Sequence, residues 1–288
     1  MKILFLLFSL ALWSQSEPLY IESNGVFIIS GDGLTVIHTA SPLSSGFVSE
    51  EICGYAITKR RGLDFFRKNN ARYEFDFSSS RLEALDKNQM KTRLATGYQE
   101  VKSRFTARGI FILLKIRWRE FEFLFDTGYA GSFTMVYGDD IPFIKESHIA
   151  IESIDGTRSH IYGNKWLTLN DIYYASAIAV AKEKSPKVGM AFLKGFNWII
   201  DFDKKKVFAK KNNIGLESAL IKQNQVKSTN GNLVIVAKNV TAKNFELGDI
   251  ITAVDHEKVT SSTICEIEKR LNGMSNWDNT ELEIAGEK

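Results

Sequence analysis

Short apolar runs separated by polar turns fill this chain from about Val26 to Lys211. Val26-Phe27-Ile28-Ile29 breaks at Ser30-Gly31-Asp32-Gly33 and resumes as Leu34-Thr35-Val36-Ile37, which predicts a β-hairpin with a glycine-rich turn. Phe111 to Ile116, a turn near Arg117 to Glu120 and a return through Phe121 to Phe125 predict a second. The two returning strands end alike, in His38-Thr39-Ala40-Ser41 and in Asp126-Thr127-Gly128-Tyr129.

The segments downstream of the two hairpins are alike as well. After the first comes Gly62-Leu63-Asp64-Phe65-Phe66, then Glu74-Phe75-Asp76-Phe77; after the second comes Gly189-Met190-Ala191-Phe192-Leu193, then Ile200-Asp201-Phe202. This reads as an internal duplication whose first copy has lost its middle, since far fewer residues separate His38 from Gly62 than Asp126 from Gly189. The extra stretch contains Ile151 to Gly163, apolar on both sides of Asp155-Gly156, the grammar of another hairpin. Residues 212–230 are polar and read as a linker. A strand (Leu233 to Val236), the segment Phe245 to Asp255 and a helical stretch from Ser262 to Leu271, with Ile264, Ile267 and Leu271 on one face, complete the pattern.

Asp126-Thr127-Gly128 carries the chemistry. An apolar strand holds a carboxylate at its tip, and the glycine lets backbone amides approach the carboxylate oxygens, an arrangement suited to activating water. Together with Val188 to Leu193 and Asn197 to Phe202 it resembles the aspartic peptidases of retropepsin and pepsin type, over about residues 107–211. The resemblance implies a mainly β, bilobal acid-protease-like barrel body with a degenerate first lobe. It also implies a catalytic set of Asp126, Thr127 and Gly128, with the threonine bonding across the lobe junction. The matching place in the first copy offers His38, succeeded by Thr39 and by Ala40 instead of glycine. Three arrangements are open: a hybrid His38–Asp126 site, a homodimer pairing two copies of Asp126, or a fold retained without catalysis. His38 also has a purely structural reading at a strand end. In such enzymes a flap closes on substrate, which assigns Ile154, Asp155 and Gly156 to substrate binding; a structural hairpin is the other reading.

The last segment resembles a bacterial PDZ domain through Leu247-Gly248-Asp249-Ile250-Ile251, its strand and its amphipathic helix. That likeness implies a small α+β module binding a peptide C-terminus at about residues 228–235 by extending a sheet edge. After Glu281-Leu282-Glu283-Ile284 little sequence remains, so its final strand is expected to be missing or the module incomplete.

Composition adds boundaries and exclusions. Lys2 and the run Ile3 to Trp13, then Ser14-Gln15-Ser16, read as a secretory signal peptide, too short to span a bilayer. A secreted or periplasmic protein is therefore expected, without a stable membrane span. The two cysteines, Cys53 and Cys265, do not make a disulfide scaffold. A net charge of +3 with no basic stripe argues against nucleic acid. His148, His160 and His256 lack metal-ligand spacing, and no cofactor is expected. The expected domains are 1–16 (signal), 17–100 (first lobe), 101–212 (second lobe), 213–227 (linker) and 228–288 (PDZ-like). The favoured activity is endopeptidase cleavage of extended peptides by a monomer or homodimer; the alternative is an inactive peptide-binding protein.

Overall fold

The computed structural model describes residues 16–18, 20–22, 25–30, 33–45, 51–52, 55–68, 72–138, 140–215 and 221–286. The expected signal segment falls almost wholly outside them, except that Ser16 begins the first strand. The chain is mainly β. It opens with β1 (Ser16–Pro18), β2 (Tyr20–Glu22), β3 (Gly25–Ser30) and β4 (Gly33–Ile37). Strands β3 and β4 form an antiparallel hairpin, with Val26 opposite Ile37. After β5 (Glu51–Ile52), β6 (Tyr55–Arg61) returns parallel to β4, and α1 (Leu63–Lys68) comes next. The hairpin β7 (Arg72–Asp76) and β8 (Arg81–Leu85) closes this half.

A connection through α2 (Lys87–Leu94), β9 (Gln99–Val101) and β10 (Ser103–Phe105) leads to the second half. There β11 (Ile110–Ile116) and β12 (Arg119–Phe125) form the hairpin. Next come β13 (Phe133–Val136), β14 (Ile149–Ser153), β15 (Arg158–Leu169) and β16 (Ile172–Ala181). Then β17 (Lys187–Val188) returns parallel to β12, ahead of α3 (Met190–Leu193) and the hairpin β18 (Phe196–Asp201) and β19 (Lys206–Lys211). Hairpin, parallel return, short helix and second hairpin therefore occur twice in the same order.

The halves meet along β7 and β18, which pair antiparallel at the centre of the six-stranded sheet β1-β8-β7-β18-β19-β9. Every residue of both strands is buried, because central strands are covered on both faces. Phe75, Trp198 and Ile200 face a core shared by the two halves, while Ile199 and Phe208 face Met90 and Leu94 of α2. That helix, absent from the sequence reading, starts at a capping box: the Asp86 carboxylate accepts from the amides of Asn88 and Gln89, and the Gln89 side chain accepts from the Asp86 amide. Equivalent turns bear equivalent acids. Asp76 accepts from the Ser79 amide at 3.1 Å and from Asn197 at 2.7 Å, while Asp201 accepts from the Lys204 amide at 2.9 Å and meets Arg72 at 3.1 Å.

The C-terminal module contains β20 (Gln225–Thr229), β21 (Asn232–Asn239), β22 (Ile250–Val254), β23 (Glu257–Lys258), α4 (Ile264–Gly273) and β24 (Leu282–Ile284). Ile264, Ile267 and Leu271 enter its own core with Leu233, Ile235 and Trp277. One expectation changes here: the end of the polar stretch read as linker is strand β20, paired with β21. Leu282–Ile284 is a strand paired with β22. Cys265 is disulfide-bonded, and the other cysteine, Cys53, lies outside the described residues. The module joins the second half directly, because β14 pairs antiparallel with β21 and makes one sheet of both.

Candidate functional site

Each strand-end turn is fixed by the parallel strand returning beside it. The His38 amide donates to the Arg61 carbonyl at 3.0 Å, and the Asp126 amide to the Val188 carbonyl at 2.9 Å. One step on, the Leu63 amide donates to Ser41 and the Met190 amide to Tyr129, at 2.8 and 2.7 Å. These crossings are tight enough to need glycine. A methyl group on Gly62 would lie 2.5 Å from the Leu43 carbonyl oxygen, and one on Gly189 would lie 2.3 Å from that of Tyr129. The two glycines noted in the sequence thus perform one steric task in two places.

The turns are tied to each other by a reciprocal threonine pair. The Thr39 amide donates to Thr127 Oγ1 and the Thr127 amide to Thr39 Oγ1, both at 3.1 Å. Each hydroxyl then donates across the junction at 2.6 Å, Thr39 to the Phe125 carbonyl and Thr127 to that of Ile37. Both threonines are fully buried, so these four bonds replace all contact with water.

The outcome is a juxtaposition of two titratable groups from opposite halves. His38 Nε2 stands 3.2 Å from Asp126 Oδ1. The same oxygen accepts the Gly128 amide at 2.9 Å. Gly128 also makes room for the imidazole, since a methyl group there would lie 2.6 Å from His38 Cδ2. The Asp126 side chain is 9% exposed and that of His38 29%, so the pair is recessed but open to small molecules. Among the described residues, no hydrogen-bond partner reaches Asp126 Oδ2.

Behind the pair, Thr134 Oγ1 donates to the Tyr129 hydroxyl at 2.8 Å, and the Lys187 ammonium lies 4.7 Å from the Tyr129 ring centre. Burial raises the Tyr129 phenol above its ordinary value, so it remains neutral and braces the turn. Carboxylate beside imidazole suits acid–base chemistry on a water molecule or a polarised carbonyl. Among the described residues no group of three or more His, Cys, Asp or Glu side chains is placed to hold a metal.

The residues assigned to a flap sit at a hairpin turn. Ile154, Asp155 and Gly156 form the turn between β14 and β15: Gly156 is left-handed (φ 78°), and Asp155 Oδ1 accepts the Thr157 amide at 2.8 Å. The Ile154 amide donates to the Val236 carbonyl of the C-terminal module at 2.8 Å, and none of the turn's hydrogen bonds reaches His38 or Asp126. Its partner is a neighbouring sheet strand instead of an open cleft. The sequence left flap and structural hairpin both open, because hydrophobic alternation specifies a strand without naming the strand beside it.

The sequence places Asp126, Thr127, Gly128 and His38, and the fold brings all four together. The Arg72–Asp201 and Asn197–Asp76 contacts are absent from the sequence reading, because they have no local pattern and arise only when the two halves pair. No protein-family model matches this chain, and no curated protein matches it.

Proposed function

We propose that the chain is an exported aspartic-type peptide hydrolase with a hybrid active centre, Asp126 acting with His38 on a bound water. The observation that carries this reading is the 3.2 Å approach of His38 Nε2 to Asp126 Oδ1 at a junction built from twin turns. In the proposed cycle Asp126 takes a proton from water as its oxygen attacks the peptide carbonyl carbon. Protonated His38 stabilises the oxygen that becomes negative. It then donates to the departing amine as the C–N bond breaks, and recovers its proton from Asp126. Thr39 and Thr127 hold the two groups in register and take no proton. A monomer is favoured over paired second lobes, because the place a second carboxylate needs is filled by His38 of the same chain. The disulfide at Cys265 suits an oxidising, exported setting.

The decisive experiment compares cleavage of an unfolded peptide library by wild type, Asp126→Ala and His38→Ala across about pH 3 to 8. Cleavage by wild type that disappears in Asp126→Ala and falls in His38→Ala is the expected result. A second reading, peptide binding without hydrolysis, is favoured by one observation: the first half supplies an imidazole where such sites need a second carboxyl group. Equal inactivity of all three proteins, with retained binding of uncleaved peptides, would establish that reading instead.

A further inference from the structure

A cavity of about 640 Å³ opens between α2, the β18–β19 turn and the start of β7, and none of its lining residues belongs to the His38–Asp126 site. Its volume falls in the range of clefts that hold small organic ligands. Helical spacing builds one wall. Lys87, Met90, Lys91 and Leu94 recur at the three- and four-residue intervals that share a helix face, and all four line the cavity. Met90 is buried and Leu94 half-buried against Phe208, which makes an apolar floor, while Lys87 and Lys91 are exposed.

Five cationic side chains and three carboxylates line the cavity, and every carboxylate has a partner within the protein. Asp201 accepts Arg72 Nε at 3.1 Å and the Lys204 amide at 2.9 Å, and Asp203 meets the other end of the same guanidinium at 2.8 Å. Glu100 pairs with Lys206 at 2.7 Å. Three ammonium groups are left over: among the described residues no carboxylate reaches Lys87, Lys91 or Lys204. The placement of Lys87 is itself unfavourable. A helix's first turn lies at the positive end of its dipole, where carboxylates are preferred, and α2 has no acid in that turn. The Asp86 carboxylate just before it is engaged by the amides of Asn88 and Gln89.

We propose that this cavity is a binding site for a phosphate monoester with an apolar body. Such a head group brings three acceptor oxygens and about 1.5 to 2 negative charges at neutral pH, a match for the three unpaired ammonium groups. Lysine binds phosphate in this way, as a point charge on a flexible stem. The body of the ligand lies on Met90, Leu94 and Phe208. Arg72, held by Asp201 and Asp203, adds to the positive potential without leaving its partners. Because the lining comes from both halves and from the connection between them, a bound ligand also stabilises their pairing. The site is independent of whether Asp126 performs chemistry.

The test titrates full-length protein at about 0.15 M salt with octyl phosphate, phenyl phosphate, inorganic phosphate and octanol, and follows the backbone amide signals of Lys91, Lys204 and Phe208. Octyl or phenyl phosphate is expected to shift all three signals and to bind at least about tenfold more tightly than inorganic phosphate or octanol. The tighter of the two esters tells whether the body is an alkyl chain or a ring. Lys87→Gln/Lys91→Gln is expected to weaken that binding at least about tenfold. The unliganded variant should unfold at or slightly above the wild-type midpoint, since both side chains are exposed and Lys87 opposes the helix dipole. Equal binding of inorganic phosphate would remove the apolar subsite, equal binding of octanol the anionic one, and undiminished binding by the variant the lysines. Each of these overturns the proposal, as does the absence of any shift at the three amides with both esters.

Discussion

Thr39 and Thr127 each receive the other's backbone amide on a side-chain hydroxyl, at 3.1 Å in both directions, and each passes its own hydroxyl proton to a carbonyl of the opposite half. Replacing either with valine keeps the shape but strands two buried partners. A loss of about 2 to 4 kcal/mol is expected for Thr127→Val, from unmade bonds plus unsatisfied groups. Denaturant unfolding measures it. The double Thr39→Val/Thr127→Val variant is expected to lose less than the sum of the singles, because the pair acts as one unit.

His38→Asp places a second carboxyl group where the imidazole now lies 3.2 Å from Asp126 Oδ1. Two carboxylates so close cannot both ionise cheaply, so one proton is shared and the variant's activity is expected to be confined to more acidic pH than that of wild type. A pH–rate profile of each protein is the check; an unchanged profile would remove His38 from the chemistry.

Gly62→Ala and Gly189→Ala test the twin crossings. Their added methyl groups would press on main-chain oxygens of residues 43 and 129, at 2.5 and 2.3 Å, and backbone yields less than a side-chain end. Each is expected to cost about 1 to 3 kcal/mol or more as an overpacking change. Thermal unfolding of both variants should show similar penalties if the two sites are true counterparts, whereas Gly97→Ala, with nothing near its added carbon, isolates the penalty of backbone conformation (φ 100°) from that of crowding.

His148 and His160 stack with ring centres 4.1 Å apart, and Tyr137 meets His160 edge-on. Burial, then the positive potential of His148 and Arg158, lowers the His160 pKa below its ordinary 6.5. On acidification the unfolded chain takes up this proton before the folded one. The associated stability is therefore full above 6.5 and is lost as pH falls through the lower folded value. His160→Phe is expected to flatten the decline of stability below that pH, as measured by urea unfolding at a series of pH values.

Local grammar makes much of this molecule legible in its sequence. The hairpins ending at His38 and Asp126, the glycines at 62 and 189 and the acids at 76 and 201 each arise from strand alternation, a turn or a steric need readable within a few residues. Partnerships between distant strands are not legible in that way. Nothing in Ile149–Ser153 announces β21, and nothing in α4 announces that Glu268 and Asn272 face β20, since periodicity marks a buried face without naming what buries it. The helix α2 escapes notice for another reason: Lys87 to Leu94 is mostly polar, and its signal lies in the Asp86–Gln89 cap instead of an apolar stripe.

A continuous ladder across β14 and β21 means the C-terminal portion is no pendant ornament that could be trimmed at will. Cutting the chain after Lys211 would leave β14 with a raw row of amides and carbonyls, an invitation to stick to the next molecule. Shortened versions built to simplify biochemistry would then tend to clump, and their poor behaviour would say little about the dyad of the intact protein.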